Sequence, residues 1–423
     1  MSHPQSGGKT FREHIEHMRE YISALLKWLI LAALVGVCGG VVGALFHIGV
    51  EEATELRGHQ PWLLYLLPVA GLIITALYRF AGVYGVGTNA VLEAVHEGKK
   101  IPFFLLPAIF FGTILTHLCG GSAGREGAAL QMGGHIGRHV GQLLRLDDKD
   151  RRTATLCGMS ALFSALFGTP LTAAVFALEV VSVGVLYYAG FVPCIVSALV
   201  AYGVSLAFGV HPTHFLVAVP AVDAAVLMKT AILAVLCALV SILFCEVLHR
   251  TEHLAVRVKN PYFRAVAGGC AIIAATVVLG TTAYNGAGME VITAAVEQGR
   301  AHPWDFVLKM LFTAVTIGCG YKGGEVVPTF FIGATFGCAV APLLGLPAGF
   351  AAAIGLVAVF CGAVNCPMAS ILLSIELFGA EGLSCFALAC AIGFMLSGYR
   401  GLYSSQTILY SKLKAEFINI RAK

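Results

Sequence analysis

Long stretches of the chain carry no charge at all. Residues 153–178 and 326–375 contain no Asp, Glu, Lys or Arg, and 224–248 contain only Lys229 and Glu246. About 20 consecutive apolar residues suffice for a helix to cross a bilayer core, so many segments qualify as spans. Several runs are too long for one crossing and are interrupted, by Gly168 and Pro170 within 153–180 and by Pro342, Gly345 and Pro347 within 326–375. These predict pairs of short or tilted helices packed inside protein, because lipid-exposed irregular backbone leaves polar groups unsatisfied. A membrane β-barrel would show alternating segments of roughly ten residues; solid apolar runs stand here instead. The pattern specifies an all-α polytopic membrane protein.

Composition agrees. Hydrophobic residues make up 58% of the 423 and charged residues 12%, against about 25% charged in a soluble domain. The 49 glycines suit helices that approach closely in lipid. Residues 1–20 are polar and read as a cytoplasmic segment rather than a cleavable signal. The tail 412–423 is basic, and the positive-inside rule places both termini in the cytoplasm. A formal net charge of +4 is too weak and dispersed for nucleic-acid binding. The 13 cysteines show no C-x-x-C spacing, and no residue cluster calls for a metal or cofactor.

One pattern occurs twice. Gly158, Phe163, Pro170 and Glu179 recur as Gly355, Phe360, Pro367 and Glu376, each shifted by 197. Upstream, Gly121, Gly124, Glu126 and Gly134 match Gly320, Gly323, Glu325 and Gly333 at a shift of 199, and Tyr84 matches Tyr284. The chain therefore divides into a first repeat at 21–210 and a second at 222–411. Secondary transporters built from inverted repeats hold their substrate between the repeats, at broken helices whose N-termini face an anion. Each Gly-Gly…Glu segment is accordingly expected to be a loop leading into a helix N-terminus.

The chemistry concentrates in Gly121-Ser122-Ala123-Gly124-Arg125-Glu126-Gly127. Helix N-termini present free N–H groups that bind anions, and a carboxylate there can occupy the anion site itself. An ionisable residue at membrane depth marks function by default, which singles out Glu126 as gate and proton acceptor; the bland alternative is an acidic helix cap. Gly120-Gly121-Ser122-Ala123-Gly124 also fits a nucleophile elbow, but neither the preceding strand nor a triad is evident. His117 reads as a packed histidine.

Gly124-Arg125-Glu126-Gly127, Gly323-Gly324-Glu325-Val326-Val327-Pro328, the duplicated halves and Gly401-Leu402-Tyr403-Ser404 resemble the CLC family of chloride channels and anion/proton antiporters. The resemblance spans about 21–411. It implies inverted repeats, a homodimer with one pathway per subunit, and anion binding at the two helix starts, around Gly124, Arg125 and Gly127 and around Glu325 and Val326. It assigns Glu126 as the gate and Tyr403 as an anion contact. The family's anion-binding Gly-Ser-Gly-Ile-Pro motif falls on Gly85-Val86-Gly87-Thr88-Asn89, where Val86 stands at the serine in an ungapped reading and a small gap brings Thr88 or Asn89 there. Val180 stands where chloride/proton antiporters carry an inner proton glutamate. The missing serine, Gly-Gly-Glu-Val-x-Pro and the phrase from Thr116 to Glu126 resemble the fluoride/proton antiporter branch. The expectation is a halide/proton antiporter, fluoride favoured over chloride, in a bacterial-type inner membrane. The alternatives are a passive chloride channel and a membrane-embedded serine hydrolase using Ser122.

Overall fold

The computed structural model describes residues 11–98 and 101–423. Among them sixteen α-helices fall into two sets of eight. The first set is α1 (Phe11–His59), α2 (Leu67–Phe80), α3 (Thr88–Glu97), α4 (Leu105–Leu118), α5 (Glu126–Leu143), α6 (Asp148–Phe167), α7 (Pro170–Glu179) and α8 (Phe191–Ala207). The second is α9 (Ala224–Val256), α10 (Pro261–Leu279), α11 (Met289–Glu297), α12 (Asp305–Gly318), α13 (Val326–Leu344), α14 (Ala348–Val364), α15 (Pro367–Phe378) and α16 (Leu383–Leu396). Six helical stretches are long and apolar enough to cross a membrane by length and composition, those in α1, Pro61–Phe80, Tyr188–Ala207, α9, α10 and α13.

The interruptions lie largely where the sequence places them. Gly168 ends α6 in the left-handed conformation and Pro170 opens α7 at its first position, and Gly345 ends α13 while Pro347 caps α14. A break not singled out in the sequence lies at Asn365 and Pro367, which do the same between α14 and α15. A left-handed residue stops a helix at little steric cost when it is Gly or Asn, and proline at the first position lacks only an N–H that would be unpaired anyway. Pro342 departs from expectation: it lies inside the last turns of α13, which continues to a left-handed Gly345.

The two sets superimpose as sequence positions 200 apart through the centre. Helix α4 (105–118) answers α12 (305–318), and α5 and α13 start at 126 and 326. This corrects the shift of 199. Gly120 matches Gly320, both with positive φ, so Glu126 is equivalent to Val326 and Arg125 to Glu325. Beyond α6 the shift falls to 197, as α7 and α15 open at Pro170 and Pro367.

Equivalent elements meet each other antiparallel. Gly124 N–H donates to Gly324 O and Gly324 N–H to Gly124 O, both at 2.7 Å. Ser122 N–H donates to Thr316 Oγ1 at 3.0 Å and Lys322 N–H to Thr116 Oγ1 at 3.2 Å. Glu376, near the end of α15, accepts from Leu171 and Thr172 N–H at the start of α7, at 3.0 and 2.8 Å. Glu179, ending α7, accepts from Met368 and Ala369 N–H at the start of α15, at 3.2 and 2.9 Å. Such reciprocal, antiparallel pairing requires a pseudo-two-fold axis across the helices, which is the inverted-repeat arrangement.

Small residues set the closeness of the helices around that axis. A Cβ on Gly133 of α5 would lie 2.2 Å from Gly158 O of α6, and one on Gly333 of α13 would lie 2.3 Å from Gly355 O of α14. No other residue type permits these crossings.

Beside the helices stands a small sheet of β1 (Ser182–Val183), β2 (Thr407–Tyr410) and β3 (Phe417–Arg421), in that order, with β1 parallel and β3 antiparallel to β2. The basic tail is therefore folded back on the protein. Lys412 Nζ donates to Asn365 Oδ1 at 2.5 Å, Phe394 O at 2.8 Å and Ser397 Oγ at 3.0 Å. Ala422 N–H donates to Gln406 O at 2.9 Å.

Candidate functional site

The glycines at 120, 121 and 124 keep the chain from continuing as helix after α4, and the Gly124–Gly324 pair joins the two loops across the pseudo-axis. Each loop then turns into a helix, with Arg125 as cap of α5 and Glu325 as cap of α13. Two helix N-termini thus abut. A Cβ on Gly324 would lie 2.4 Å from Gly127 N and 2.8 Å from Glu126 N.

Glu126 is completely buried. Its Oε2 accepts from Arg125 N–H at 2.9 Å, and the backbone N–H of Val327, in the first turn of α13, faces the carboxylate. Arg125 Nε stands 3.7 Å from Oε1, which is enclosed and has no hydrogen-bond partner. A Cβ on Gly124 would lie 2.5 Å from Glu126 Oε2 and 3.1 Å from Pro328 Cδ and Val327 Cβ. The carboxylate therefore lies at the starts of both helices, where two sets of free N–H groups and two dipoles favour negative charge. A side-chain anion thus lies where the local geometry suits an anion.

Glu325 comes within reach of it from the other helix. A Cβ on Gly127 would lie 2.9 Å from Glu325 Oε2, an enclosed atom without a hydrogen-bond partner. The charged neighbours of Glu325 are Glu252, Lys322 and Glu126. Lys322 Nζ stacks over the Tyr78 ring at 4.4 Å. Tyr403 is buried, and its hydroxyl also lacks a partner; its charged neighbours include Glu325 and Glu126. Buried polar atoms are nearly always paired. Three atoms without a hydrogen-bond partner, on Glu126, Glu325 and Tyr403, belong to residues within electrostatic reach of one another.

The segment Gly85–Asn89 divides its labour. Gly85 is exposed with φ +82°, Val86 packs half-buried against the core, and Gly87 caps α3 in an extended conformation. Thr88 is buried, its hydroxyl accepting from Gln131 Nε2 of α5 at 3.0 Å. Asn89 binds the segment after Tyr403: its Nδ2 donates to Ser404 Oγ at 3.1 Å, and its Oδ1 accepts from Ser405 N–H at 3.0 Å. The segment therefore joins the Tyr403 loop through Asn89 and α5 through Thr88. Val326 is fully buried as the first residue of α13.

Other candidates take structural places. Ser122 Oγ pairs with Thr313 Oγ1 at 3.1 Å. His117 is buried, and its Nδ1 donates to Thr113 O at 2.9 Å. Sequence reasoning missed Lys309, an ammonium buried in α12 that donates to Tyr284 O and Gly286 O at 3.1 and 2.7 Å. A lysine in an otherwise apolar helix was the available signal. Among the described residues, no group of three His, Cys, Asp or Glu side chains forms a metal site.

Comparisons with known proteins give the family and the fold. The profile of voltage-gated chloride channels matches residues 70–398. A chloride/fluoride channel protein of Pseudomonas syringae pv. tomato is 40% identical over 398 residues, covering 92% of this chain and 88% of that protein. An H(+)/Cl(−) exchange transporter of Vibrio vulnificus is 27% identical over 404 residues, covering 87% and 86%. The crystal structure of a CLC-type fluoride/proton antiporter matches with a TM-score of 0.88 at 32% identity, over 91% of this chain and 98% of that one. A slow cyanobacterial Cl−/H+ antiporter shares the fold, with a TM-score of 0.77 at 20% identity over 88% and 94%. The chain belongs to the CLC family, the family of voltage-gated chloride channels.

Proposed function

We propose that the protein is a halide/proton antiporter, with fluoride preferred over chloride, working as a homodimer in a bacterial-type inner membrane with both termini cytoplasmic. The observation that carries this reading is the Glu126 carboxylate seated at two helix N-termini. Ionised, it fills the anion site and excludes halide. Protonated, it loses its claim on the N–H groups and gives the site to an anion. Each exchange of carboxylate for halide thereby takes up or releases one proton.

Tyr403 supplies an O–H donor opposite Glu126. Glu325 repels halide while ionised, so its place beside the site suits a second proton carrier that is neutral when the anion is near. This refines its expected role as an anion ligand. Val86 brings no hydroxyl to the pathway, which favours a small anion held by backbone N–H groups and Tyr403. The 40% identical chloride/fluoride channel protein and the fluoride/proton antiporter fold support the same preference. The hydrolase reading falls with family membership and with the Ser122–Thr313 pair.

One observation favours passive conduction instead: Val180 is apolar and fully buried, so no ionisable side chain stands at the usual inner proton position. The two readings part in reconstituted vesicles. A fluoride gradient drives protons uphill if transport is coupled; fluoride flux that leaves the proton gradient untouched would establish a channel. Repeating the assay with chloride orders the two anions.

A further inference from the structure

If Val180 takes no part, protons need another way to the site from the side that bears the C-terminal sheet. The backbone of Val180 is already committed, its carbonyl accepting from Gln406 Nε2 at 3.0 Å. The neighbouring carboxylate, Glu179, is held as the cap of α15 by two N–H groups. On α3 a different acid faces the same segment. Ser405 Oγ donates to Glu93 Oε1 at 3.0 Å, one turn beyond Asn89, which holds Ser404 and Ser405 N–H. One turn further, His96 Nε2 donates to Val181 O at 2.9 Å, so that nitrogen already carries its proton.

Burial grades along this line. The Glu93 side chain is 25% exposed and Arg421 of β3 is 61% exposed at 3.9 Å from Glu93 Oε1. Ser405 is 5% exposed and Tyr403 2%. Glu93 is thus a carboxylate that meets solvent on one side and, through Ser405, touches the loop carrying Tyr403 on the other. Among the described residues Arg421 Nη1 faces the Glu93 carboxylate across 3.9 Å, and His96 lies one turn along the same helix.

We propose that Glu93 is the proton-accepting group that serves the pathway from the sheet side, in place of the glutamate that Val180 lacks. The proposal rests on the antiport reading. The Glu93 carboxylate takes one proton from water and becomes a neutral acid. It passes that proton towards the Tyr403 hydroxyl and Glu325 and returns to the carboxylate, so one proton enters and one leaves per cycle. Arg421 holds Glu93 ionised between cycles.

The test is the ratio of proton to fluoride flux in vesicles for wild type, Glu93→Gln and Glu93→Asp. For Glu93→Gln, fluoride-driven proton flux should fall about a hundredfold, the scale of losing a positioned acid–base group, while fluoride still passes; Glu93→Asp should restore coupling. A Glu93→Gln protein with an unchanged ratio would overturn the proposal, as would equal slowing of both fluxes, the mark of a loop clamp alone. Arg421→Gln gives a second check on a folded site. Losing a screened cation should move the midpoint of the pH–flux profile up by roughly half a pH unit, and no movement would count against Glu93. Uncoupled wild type would overturn the antiport reading and this one together; coupled wild type with unchanged Glu93→Gln overturns this one only.

Discussion

Glu126 combines two properties that seldom coincide: complete burial and a carboxylate oxygen without a hydrogen-bond partner. At the residue scale the site depends on backbones that touch. Gly324→Ala would drive a methyl group into Glu126 N and Gly127 N, neither of which can retreat without moving a helix start. We expect a loss of about 3 kcal/mol or more, at the upper end for overpacking, read as a lower unfolding temperature in detergent, together with loss of halide flux. Gly87→Ala is the contrast: nothing lies within 4 Å of its Cβ position and its backbone is extended, so stability should hold. Glu126 itself was legible in the sequence, because a carboxylate among glycines and apolar residues has few structural uses at membrane depth. The register of its counterpart was not. Gly120-Gly121 admits two alignments, and matching Glu126 to Glu325 chooses the wrong one. The Gly124–Gly324 backbone pair sets the true shift, and backbone pairing leaves no mark on side-chain identity.

Among elements, the α7–α15 pair shows how the repeats lock. Each helix carries a glutamate at or near its end that caps the other's N-terminus, so each carboxylate satisfies two N–H groups and complements a dipole. Removing one, as in Glu376→Gln or Glu179→Gln, should cost about 1 kcal/mol, the usual scale for a cap. The double variant should cost close to the sum, since the two carboxylates serve different helix ends; thermal unfolding of the three proteins checks this. The repeat made both glutamates visible in the sequence. Their use was hidden because the groups they cap lie 189 to 205 residues away. Breaks at Gly168–Pro170 and Gly345–Pro347 were foreseeable, since their signals are local. Pro342 shows the limit of that reasoning: near a helix end, its missing N–H and ring clash with the preceding turn are tolerated.

For the whole molecule, inverted repeats bring two helix starts together at the Glu126 carboxylate, and the C-terminal sheet fastens the Tyr403 loop from one side. Strand β3 alternates over only five residues, Phe417–Arg421, and it needs β2 and β1 as partners; a periodicity so short, following a helical protein, reads as tail. Truncation after Tyr410 would remove Lys412, leaving Asn365, Phe394 and Ser397 without its ammonium, and would remove β3. We expect such a protein to insert and keep its helices by circular dichroism while fluoride flux falls at least tenfold, about 1.4 kcal/mol in barrier. Single cysteines near each terminus should react with an impermeant reagent from the cytoplasmic side alone.

The most direct test of the central claim compares proton and fluoride fluxes of wild type and Glu126→Gln in the same vesicles. Glutamine keeps the shape of the side chain and cannot ionise, so it can neither fill the anion site as a charge nor carry a proton. The expected result is fluoride movement that persists while fluoride-driven proton movement vanishes. Proton coupling that survives in Glu126→Gln would contradict the account, because the carboxylate at the two helix starts would then be no more than a cap.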